Sequence, residues 1–163
     1  EAMWPVGSVI VGPRTLNGVT YEGHAGTPLP NIWVLYAGFS PLTGQALAAN
    51  GDEDIDMTLS PARTAIAFDI AVNPYGPVTI RVFDQDDVQI AEIERAASTL
   101  GFQGIVSDVA IGRVNFRSVL GALENSVLDN VRLGDALTML AASANGHCEE
   151  VLAIPAGGAQ WTR

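Results

Sequence analysis

Positive charge is scarce in this sequence, and lysine is absent altogether. The 163 residues hold eight arginines against eighteen aspartates and glutamates, which gives a net charge of -10. A surface of this sign repels the phosphate backbone of DNA and RNA. The composition therefore excludes nucleic acid as an expected partner.

Long apolar runs and cysteines are also scarce. No run approaches the ~20 apolar residues that a membrane-spanning helix needs, so we expect no membrane span in this chain. The single cysteine, Cys148, has no partner for an intramolecular disulfide. With 48% hydrophobic and 16% charged residues, the chain is too apolar for intrinsic disorder, and its length is that of one domain.

Period-two alternation of apolar residues is the main pattern that is present, between breaks rich in glycine and proline. Residues 64–72 place four apolar side chains on one face, those of Ile66, Phe68, Ile70 and Val72. Alternation of β-branched and aromatic residues predicts a strand that is buried on one side.

A hairpin is predicted after this strand. Residues 78–83 alternate again, and the acidic tetrad at 84–87 has the composition of a turn, because aspartate side chains bond to the nearby backbone. We expect the return strand over residues 88–94, with a bulge between Ile90 and Ala91 where the apolar phase slips.

Residues 111–118 predict a strand with one solvated face. Val114 and Phe116 point to one side of it, and the other side carries the polar residues Arg113, Asn115 and Arg117. This division is typical of an antiparallel sheet that packs on a core with one face only.

Shorter strands are predicted over much of the remaining chain, at residues 8–11, 19–22, 31–38, 55–59, 102–106 and 126–133. Many short strands separated by turns predict an all-β fold, an antiparallel β-sandwich of the jelly-roll type with little helix. We expect one sandwich domain over residues 1–133. Residues 134–163 form a C-terminal extension that packs on it or is partly irregular.

Three phrases of the sequence resemble a known family. They are Asn17–Tyr21, the pair Thr64–Ile70 and Val78–Asp84, and the closing group Gly101–Asp108, Val114–Phe116 and Leu128–Val131. In this order they resemble secreted bacterial β-sandwich domains of the kind that often precede a PEP-CTERM sorting signal. The resemblance implies a jelly roll similar to galactose-binding-like and carbohydrate-binding modules, secreted or held at the cell surface.

Clustered acidic residues point to calcium, which binds six to eight oxygen ligands. Asp52, Asp54 and Asp56 share one face of an extended chain, and a cation would relieve their mutual repulsion. The alternative interpretation is a solvated acidic loop.

Asp129 is the other acidic candidate. Period-two spacing puts it on the face of Val127, Val131 and Leu133, and if that face is the core, the carboxylate needs donors or a cation. The resemblance implies a calcium ligand in such a last-strand position and further ligands near the first strand, where Glu22 lies. A carboxylate bonded to loop amides is the alternative. We predict one structural Ca²⁺ held by Asp129 together with Glu22 or with Asp52, Asp54 or Asp56.

Exposed aromatic rings flanked by polar groups are a common platform for a bound sugar. The candidates here are Trp33 and Tyr75 for stacking, with Arg113, Asn115 and Arg117 as the hydrogen-bonding row. Core packing is the alternative for Trp33, since a sandwich core needs most of the few aromatic residues.

No motif of a known catalytic site occurs in the sequence. We predict a non-catalytic extracellular or cell-surface module that binds glycan or builds an extracellular assembly, with glycan or further copies of the chain as partners. Two alternatives stay open. One is a structural subunit of a surface layer, filament or phage particle, and the other is a glycan hydrolase with paired carboxylates.

Overall fold

The computed structural model describes residues 4–24, 32–35, 42, 46–49, 54–118, 126–135 and 151–154. Within these ranges the chain forms eleven β-strands and no helix. In chain order the strands are β1 (Val9–Ile10), β2 (Arg14–Leu16), β3 (Val19–His24), β4 (Ile32–Leu35), β5 (Ala46–Ala49), β6 (Asp54–Val72), β7 (Val78–Asp84), β8 (Gln89–Arg95), β9 (Leu100–Ser118), β10 (Ser126–Gly134) and β11 (Val151–Ile154).

Two long strands, β6 and β9, belong to both layers of the fold. Each has nineteen residues, and they pair with each other in antiparallel direction on both sides of an irregular segment. The register shifts twice between Thr58 and Ala65, where Pro61 has no N–H for the ladder. The sequence pattern predicted two short strands in place of each long one. It was wrong because pairing resumes after the irregular segment with the same partner.

The front layer consists of β2, β3, residues 54–59 of β6, residues 111–118 of β9, β7 and β8, in that order. The back layer consists of β1, β4, β5, β10, residues 65–72 of β6, residues 100–107 of β9, and β11. These pairs are antiparallel except that β11 runs parallel to β9. The two layers form the antiparallel sandwich that the sequence predicted.

The core lies between the layers and contains the predicted apolar face of β6. Ile66, Phe68, Ile70 and Val72 are at most 5% exposed. Phe116 of the front layer meets Phe68 edge to face, with ring centroids 5.0 Å apart. Aromatic pairs of this geometry stabilise a fold beyond the apolar area that they bury, so this contact ties one layer to the other.

The hairpin of β7 and β8 confirms the predicted turn and bulge. Asp84 Oδ1 accepts hydrogen bonds from the backbone N–H groups of Asp86 and Val88, both at 2.9 Å. Asp87 has a φ of 62°, a conformation that aspartate tolerates better than most residues. The register shifts within the hairpin, with Val82 opposite Ala91 and Phe83 opposite Gln89, so Ile90 is the extra residue.

β10 contains a second bulge. Asp129 pairs with Asp69 and Arg132 pairs with Ala67, so β10 has one more residue than β6 between these two pairs. The extra residue is accommodated at Asn130, whose φ is 52°. An extra residue reverses the alternation of every side chain that follows.

This bulge corrects the predicted orientation of Asp129. Leu128 before the bulge and Leu133 after it both pack on the core, opposite Ile70 and Ile66. Asp129 therefore does not share the face of Leu133, as uninterrupted alternation predicted. It lies on the outer side of the back layer, where its carboxylate needs no burial in the core.

Some sequence predictions fall beyond the described ranges. Asp52 and Cys148 lie outside them, and of Trp33 only the backbone is described, in β4 opposite Val9 and Ala48. β11 comes from the C-terminal extension, and its Ile154 is 2% exposed within the core. In the part of the chain that the structure describes, no helix has the length and hydropathy of a membrane span.

Candidate functional site

The outward side of the front layer carries a continuous set of polar side chains, which we call the polar face. Alternation places these side chains opposite the core residues Ile55, Met57 and Phe116, which are at most 1% exposed. Five neighbouring strands contribute to it. Its members are Thr20, Glu22, His24, Asp54, Asp56, Thr58, Thr79, Arg81, Phe83, Gln89, Glu92, Glu94, Arg113, Asn115 and Arg117.

Cross-strand register aligns these residues in rows. The central row holds one residue from each strand, each opposite the next: Glu22, Asp56, Asn115, Arg81 and Glu92. With neighbouring strands ~4.8 Å apart, four spacings make a row about 19 Å long. Carboxylates lie at both ends of the row, and the donor-bearing side chains of Asn115 and Arg81 lie next to each other between them.

Asp56 is the centre of the hydrogen-bond network. Its Oδ1 accepts a bond from Asn115 Nδ2 at 2.7 Å and another from Arg113 Nη1 at 3.1 Å. Its Oδ2 lies 3.1 Å from His24 Nε2, which is also 3.6 Å from Glu22 Oε2. Because Asn115 is only 7% exposed, the Asp56 carboxylate satisfies an amide that would otherwise be buried without a partner.

Arg113 is held from three sides. Besides its bond to Asp56, it donates from Nε to Asp87 Oδ1 at 2.8 Å, and its Nη2 is 2.7 Å from the same oxygen. Its guanidinium lies 3.7 Å from the centroid of the Phe83 ring, a cation–π contact. Arg113 thus ties β6 and β9 to the β7–β8 turn and fixes the position of the Asp56 carboxylate.

Asp54 and Arg117 also lie on the polar face, and they make fewer bonds there than Asp56 and Arg113 do. Burial raises the pKa of the Asp54 carboxyl, and the nearby charge of Asp56 raises it further. Arg117, a hydrogen bond with Asn115, and Arg81 act in the opposite direction. A partly buried carboxylate beside an exposed arginine is a feature of binding and catalytic sites.

Arg81 is engaged at the other end of the central row. Its Nε donates to Glu92 Oε2 at 3.0 Å, and this pair is partly exposed. The polar face has five carboxylates and three arginines among its members and is therefore net negative, with arginine beside carboxylate in at least two places.

The structure brings together three of the five residues predicted to bind ligand. Arg113, Asn115 and Arg117 all lie on the polar face, as the alternation predicted. Tyr75 lies in the turn between β6 and β7, where its N–H bonds to Asn73 Oδ1 at 3.0 Å, and it is 68% exposed. For Trp33, the remaining candidate, the side chain is not among those described.

The predicted calcium ligands are divided between the two layers. Glu22, Asp54 and Asp56 are neighbours on the polar face, whereas Asp129 lies on the outer side of the back layer opposite Asp69. Layers of a sandwich are ~10 Å apart, and calcium–oxygen distances are about 2.3–2.6 Å. Asp129 thus cannot share an ion with the other three. Among the described residues, no three His, Cys, Asp or Glu side chains are arranged to hold a metal.

Sequence reasoning missed four members of the network, namely His24, Arg81, Phe83 and Asp87. The first three were recoverable from period-two alternation, since Arg81 and Phe83 alternate with buried Ile80 and Val82. The role of Asp87 was not, because its contact with Arg113 joins a turn to a strand twenty-six residues later.

This arrangement suits a neutral ligand that carries many hydroxyl groups. A hydroxyl both donates and accepts hydrogen bonds, and the polar face offers carboxylate acceptors next to guanidinium and amide donors. Carboxylates outnumber arginines on this face, and Arg81 and Arg113 already pair with acids, so the face does not favour a polyanion.

Comparison with known proteins extends the description of the fold. No model of a known family matches this chain, and no curated relative matches it. Among solved structures, a carbohydrate-binding module of family 29 matches with a TM-score of 0.50 and 17% identity, over 80% of this chain and 90% of that one.

Two further structures of that family carry bound ligands. A mutant complexed with mannohexaose matches with a TM-score of 0.51 and 17% identity, over 81% of this chain and 94% of its own. A mutant complexed with cellulohexaose matches with a TM-score of 0.50 and 17% identity, over 80% and 94%. At this identity the likeness confirms the fold, a jelly-roll β-sandwich similar to those of carbohydrate-binding modules.

Proposed function

We propose that this chain is a non-catalytic carbohydrate-binding module and that the polar face is its binding site. The observation that carries the proposal is the set of paired donors and acceptors across five strands, held rigid by the bonds of Asp56 and Arg113. A preorganised polar surface binds a hydroxyl-rich chain without first having to order its own side chains.

The structural neighbours support this choice of ligand. Proteins with the same fold have been obtained with mannohexaose and with cellulohexaose, and both are neutral oligosaccharides. A polar face that has more carboxylates than arginines, and two of whose three arginines already have acidic partners, matches a ligand of that kind better than a polyanion.

The predicted ligand-binding residues take different roles in this proposal. Arg113 and Asn115 position Asp56, because their donors are committed to its carboxylate. Arg117 is exposed and contacts the glycan directly, with Asp54 beside it as an acceptor. Tyr75 stacks on a sugar ring at the edge of the site, four residues before Thr79, which lies opposite Arg117.

Titration calorimetry with mannohexaose and cellulohexaose tests the proposal. We expect at least one of them to bind the wild type, and we expect Arg117→Ala and Tyr75→Ala each to weaken binding by about tenfold, the loss of one good polar or stacking contact. Arg14→Ala is the matched control, because Arg14 is exposed on β2, away from the polar face.

Two results would contradict the proposal. The first is that neither hexaose binds, and the second is that Arg117→Ala binds as the wild type does. Shortened oligosaccharide products after incubation would favour the hydrolase alternative instead, provided that they disappear in Asp54→Asn.

We further propose that the module acts outside the cell, secreted or held at the cell surface. The support is the resemblance of its phrases to secreted sandwich domains, together with the class of its structural neighbours. Immunodetection of the protein in the medium and the surface fraction of the cells that make it tests this location.

An assembly subunit is the second candidate function, and exposed valines near the edge strand β1 favour it. Val6, Val9 and Val11 are 45%, 41% and 57% exposed, and an edge strand offers unpaired backbone groups to another chain. Light scattering distinguishes the candidates, since a monomer at all concentrations contradicts the assembly function.

A structural Ca²⁺ stays a prediction, although the described acids Glu22, Asp54 and Asp56 do not by themselves form a metal site, and Asp52 lies outside the described residues. A cation bound only by the native state raises the melting temperature. Melting in millimolar Ca²⁺ and again in excess chelator tests it, and equal midpoints for a metal-free protein would contradict it.

A further inference from the structure

A cavity of about 500 Å³ opens between the two layers, at the end of the sandwich where β6 is irregular. It is separate from the polar face, which lies on the outer side of the front layer. Its inner wall is formed by core side chains, those of Val19, Tyr21, Val34 and Leu128. Pockets that bind small molecules have volumes of about 300–1,000 Å³, so its size is that of a ligand site.

The apolar wall of this cavity is rigid. Trp4 meets Tyr21 edge to face, with centroids 5.8 Å apart and an interplanar angle of 90°. Tyr21, Val34 and Leu128 are at most 4% exposed. Side chains that are packed this tightly hold an apolar ligand without rearrangement, which lowers the entropic cost of binding.

Arg63 supplies an unbalanced positive charge at this apolar site. It belongs to the irregular segment of β6, lines the cavity, and has a buried Nε with no hydrogen-bond partner. Within the described part of the chain it forms no ion pair, whereas Arg81 and Arg113 both pair with carboxylates. A buried donor without a partner is rare in a native protein and calls for an acceptor.

The other charges at the cavity do not supply that acceptor. Arg132 also lines it and adds a second positive charge. Asp129 is the one acid among the lining residues, but its side chain is on the outer side of the back layer, where its Oδ1 accepts a bond from the Asn130 N–H at 2.7 Å. The residues that line the cavity thus include two arginines and one aspartate.

We propose that this cavity binds an apolar monocarboxylate, with its carboxylate on the Arg63 guanidinium and its body against Trp4 and Tyr21. The guanidinium presents donors in a fixed fork that matches a carboxylate. An apolar body matches the partly buried apolar side chains that also line the cavity, those of Trp4, Leu16, Leu47, Val131 and Leu133. The site is independent of glycan binding and gives the module a second, small-molecule ligand.

Calorimetric titration with hydrocinnamate, an aromatic monocarboxylate, tests the proposal. We expect binding to the wild type, weakened by about tenfold or more in Arg63→Gln. Hydrocinnamyl alcohol, which has the same body without the charge, should bind more weakly by a similar factor. Arg14→Gln is the matched control and should bind hydrocinnamate as the wild type does, since Arg14 does not line the cavity.

Melting curves separate a lost site from a lost fold. Arg63→Gln removes a donor that lacks a partner, so its midpoint without ligand should be no lower than that of the wild type. Leu47→Trp provides a second variant that keeps Arg63 and fills the cavity with a larger side chain. It should also abolish hydrocinnamate binding while leaving any hexaose binding intact.

Three results would overturn the proposal: no binding of hydrocinnamate to the folded wild type at millimolar concentration, equal binding of the alcohol, or full binding by Leu47→Trp. Failure of this site leaves the glycan proposal untouched, because the two titrations use different probes and different variants.

Discussion

The two halves of β6 follow the same alternation but present different outward surfaces. In the front layer its outward residues are Asp54, Asp56 and Thr58, and Asp56 bonds to histidine, arginine and asparagine side chains. In the back layer they are Ala65, Ala67, Asp69 and Ala71, and the three alanines are at most 5% exposed. One strand therefore carries both a hydrogen-bonding face and a face of small side chains.

The inward residues of the two halves are alike, so the difference concerns function more than folding. Ile55 and Met57 in front and Ile66 and Phe68 behind belong to one core. In the front half, Asp56 accepts hydrogen bonds from two side chains of β9 and lies beside His24 of β3, whereas in the back half Asp69 accepts one, from Asn130 of β10. The outward residues, which the core leaves unconstrained, are the ones that create the candidate site.

The largest effect is expected from a substitution that removes the contact between the two layers of the sandwich. Phe68→Ala removes the ring that meets Phe116 and should lower the free energy of unfolding by about 3–5 kcal/mol, through lost burial and a cavity. Phe83→Ala, whose ring lies under Arg113 on the polar face, should cost only about 1 kcal/mol. Urea unfolding measures the free energy of unfolding of both variants. If Phe68→Ala loses no more of it than Phe83→Ala does, the core does not depend on Phe68.

Effects of intermediate size are expected from substitutions of two aspartates of β6, one in each layer. Asp56→Ala leaves donors of Arg113 and Asn115 without an acceptor and should destabilise by about 1–3 kcal/mol. Asp69→Ala removes a charge directly opposite Asp129 and also an exposed hydrogen bond from Asn130 Nδ2. Because these two effects oppose each other, stability should stay within ~0.5 kcal/mol of the wild type. If both variants lose the same stability, the front half is not the more organised one.

The smallest expected effect is the pH dependence that Asp129 adds on the back layer. Burial raises the pKa of Asp129 above its ordinary 3.8, and the charge of Asp69 raises it further, while the Asn130 N–H lowers it. A raised pKa means that the folded state holds the proton more tightly than the unfolded state. Protonation of Asp129 therefore stabilises the folded state. This stabilisation is complete below pH 3.8 and is lost as the pH rises through the folded-state pKa.

Asp129→Asn tests this sign. The variant keeps an acceptor for the Asn130 N–H but carries no charge, so it should melt above the wild type at about pH 7 and lose that advantage towards about pH 4. Melting curves across this range measure the difference between the two midpoints. A difference that is constant with pH would contradict the assignment.

Local patterns predicted much of the fold. The alternation of residues 64–72 predicted the core face of β6, and the aspartates at 84–87 predicted a turn that Asp84 stabilises by its own carboxylate. Both succeed because strand alternation and aspartate turns depend on neighbours within a few residues.

The polar face was predicted only in part. The outward direction of Arg113, Asn115 and Arg117 follows from alternation within one strand. Their partner Asp56 comes from a strand more than fifty residues earlier, and sequence reasoning had assigned it to calcium with Asp129. Pairing between distant strands depends on the register of the whole sheet, which no short stretch of sequence contains.

By itself, the sequence determined which side chains are buried where a strand is uninterrupted, as in residues 64–72, and that the chain forms a sandwich, because alternation and composition are local properties. Only the tertiary structure decided that β6 and β9 each serve both layers, that one extra residue at Asn130 turns Asp129 outward, and that Arg63 lines a cavity. These outcomes depend on bulges and on contacts between distant strands, whose free energies are set by the assembled sheet.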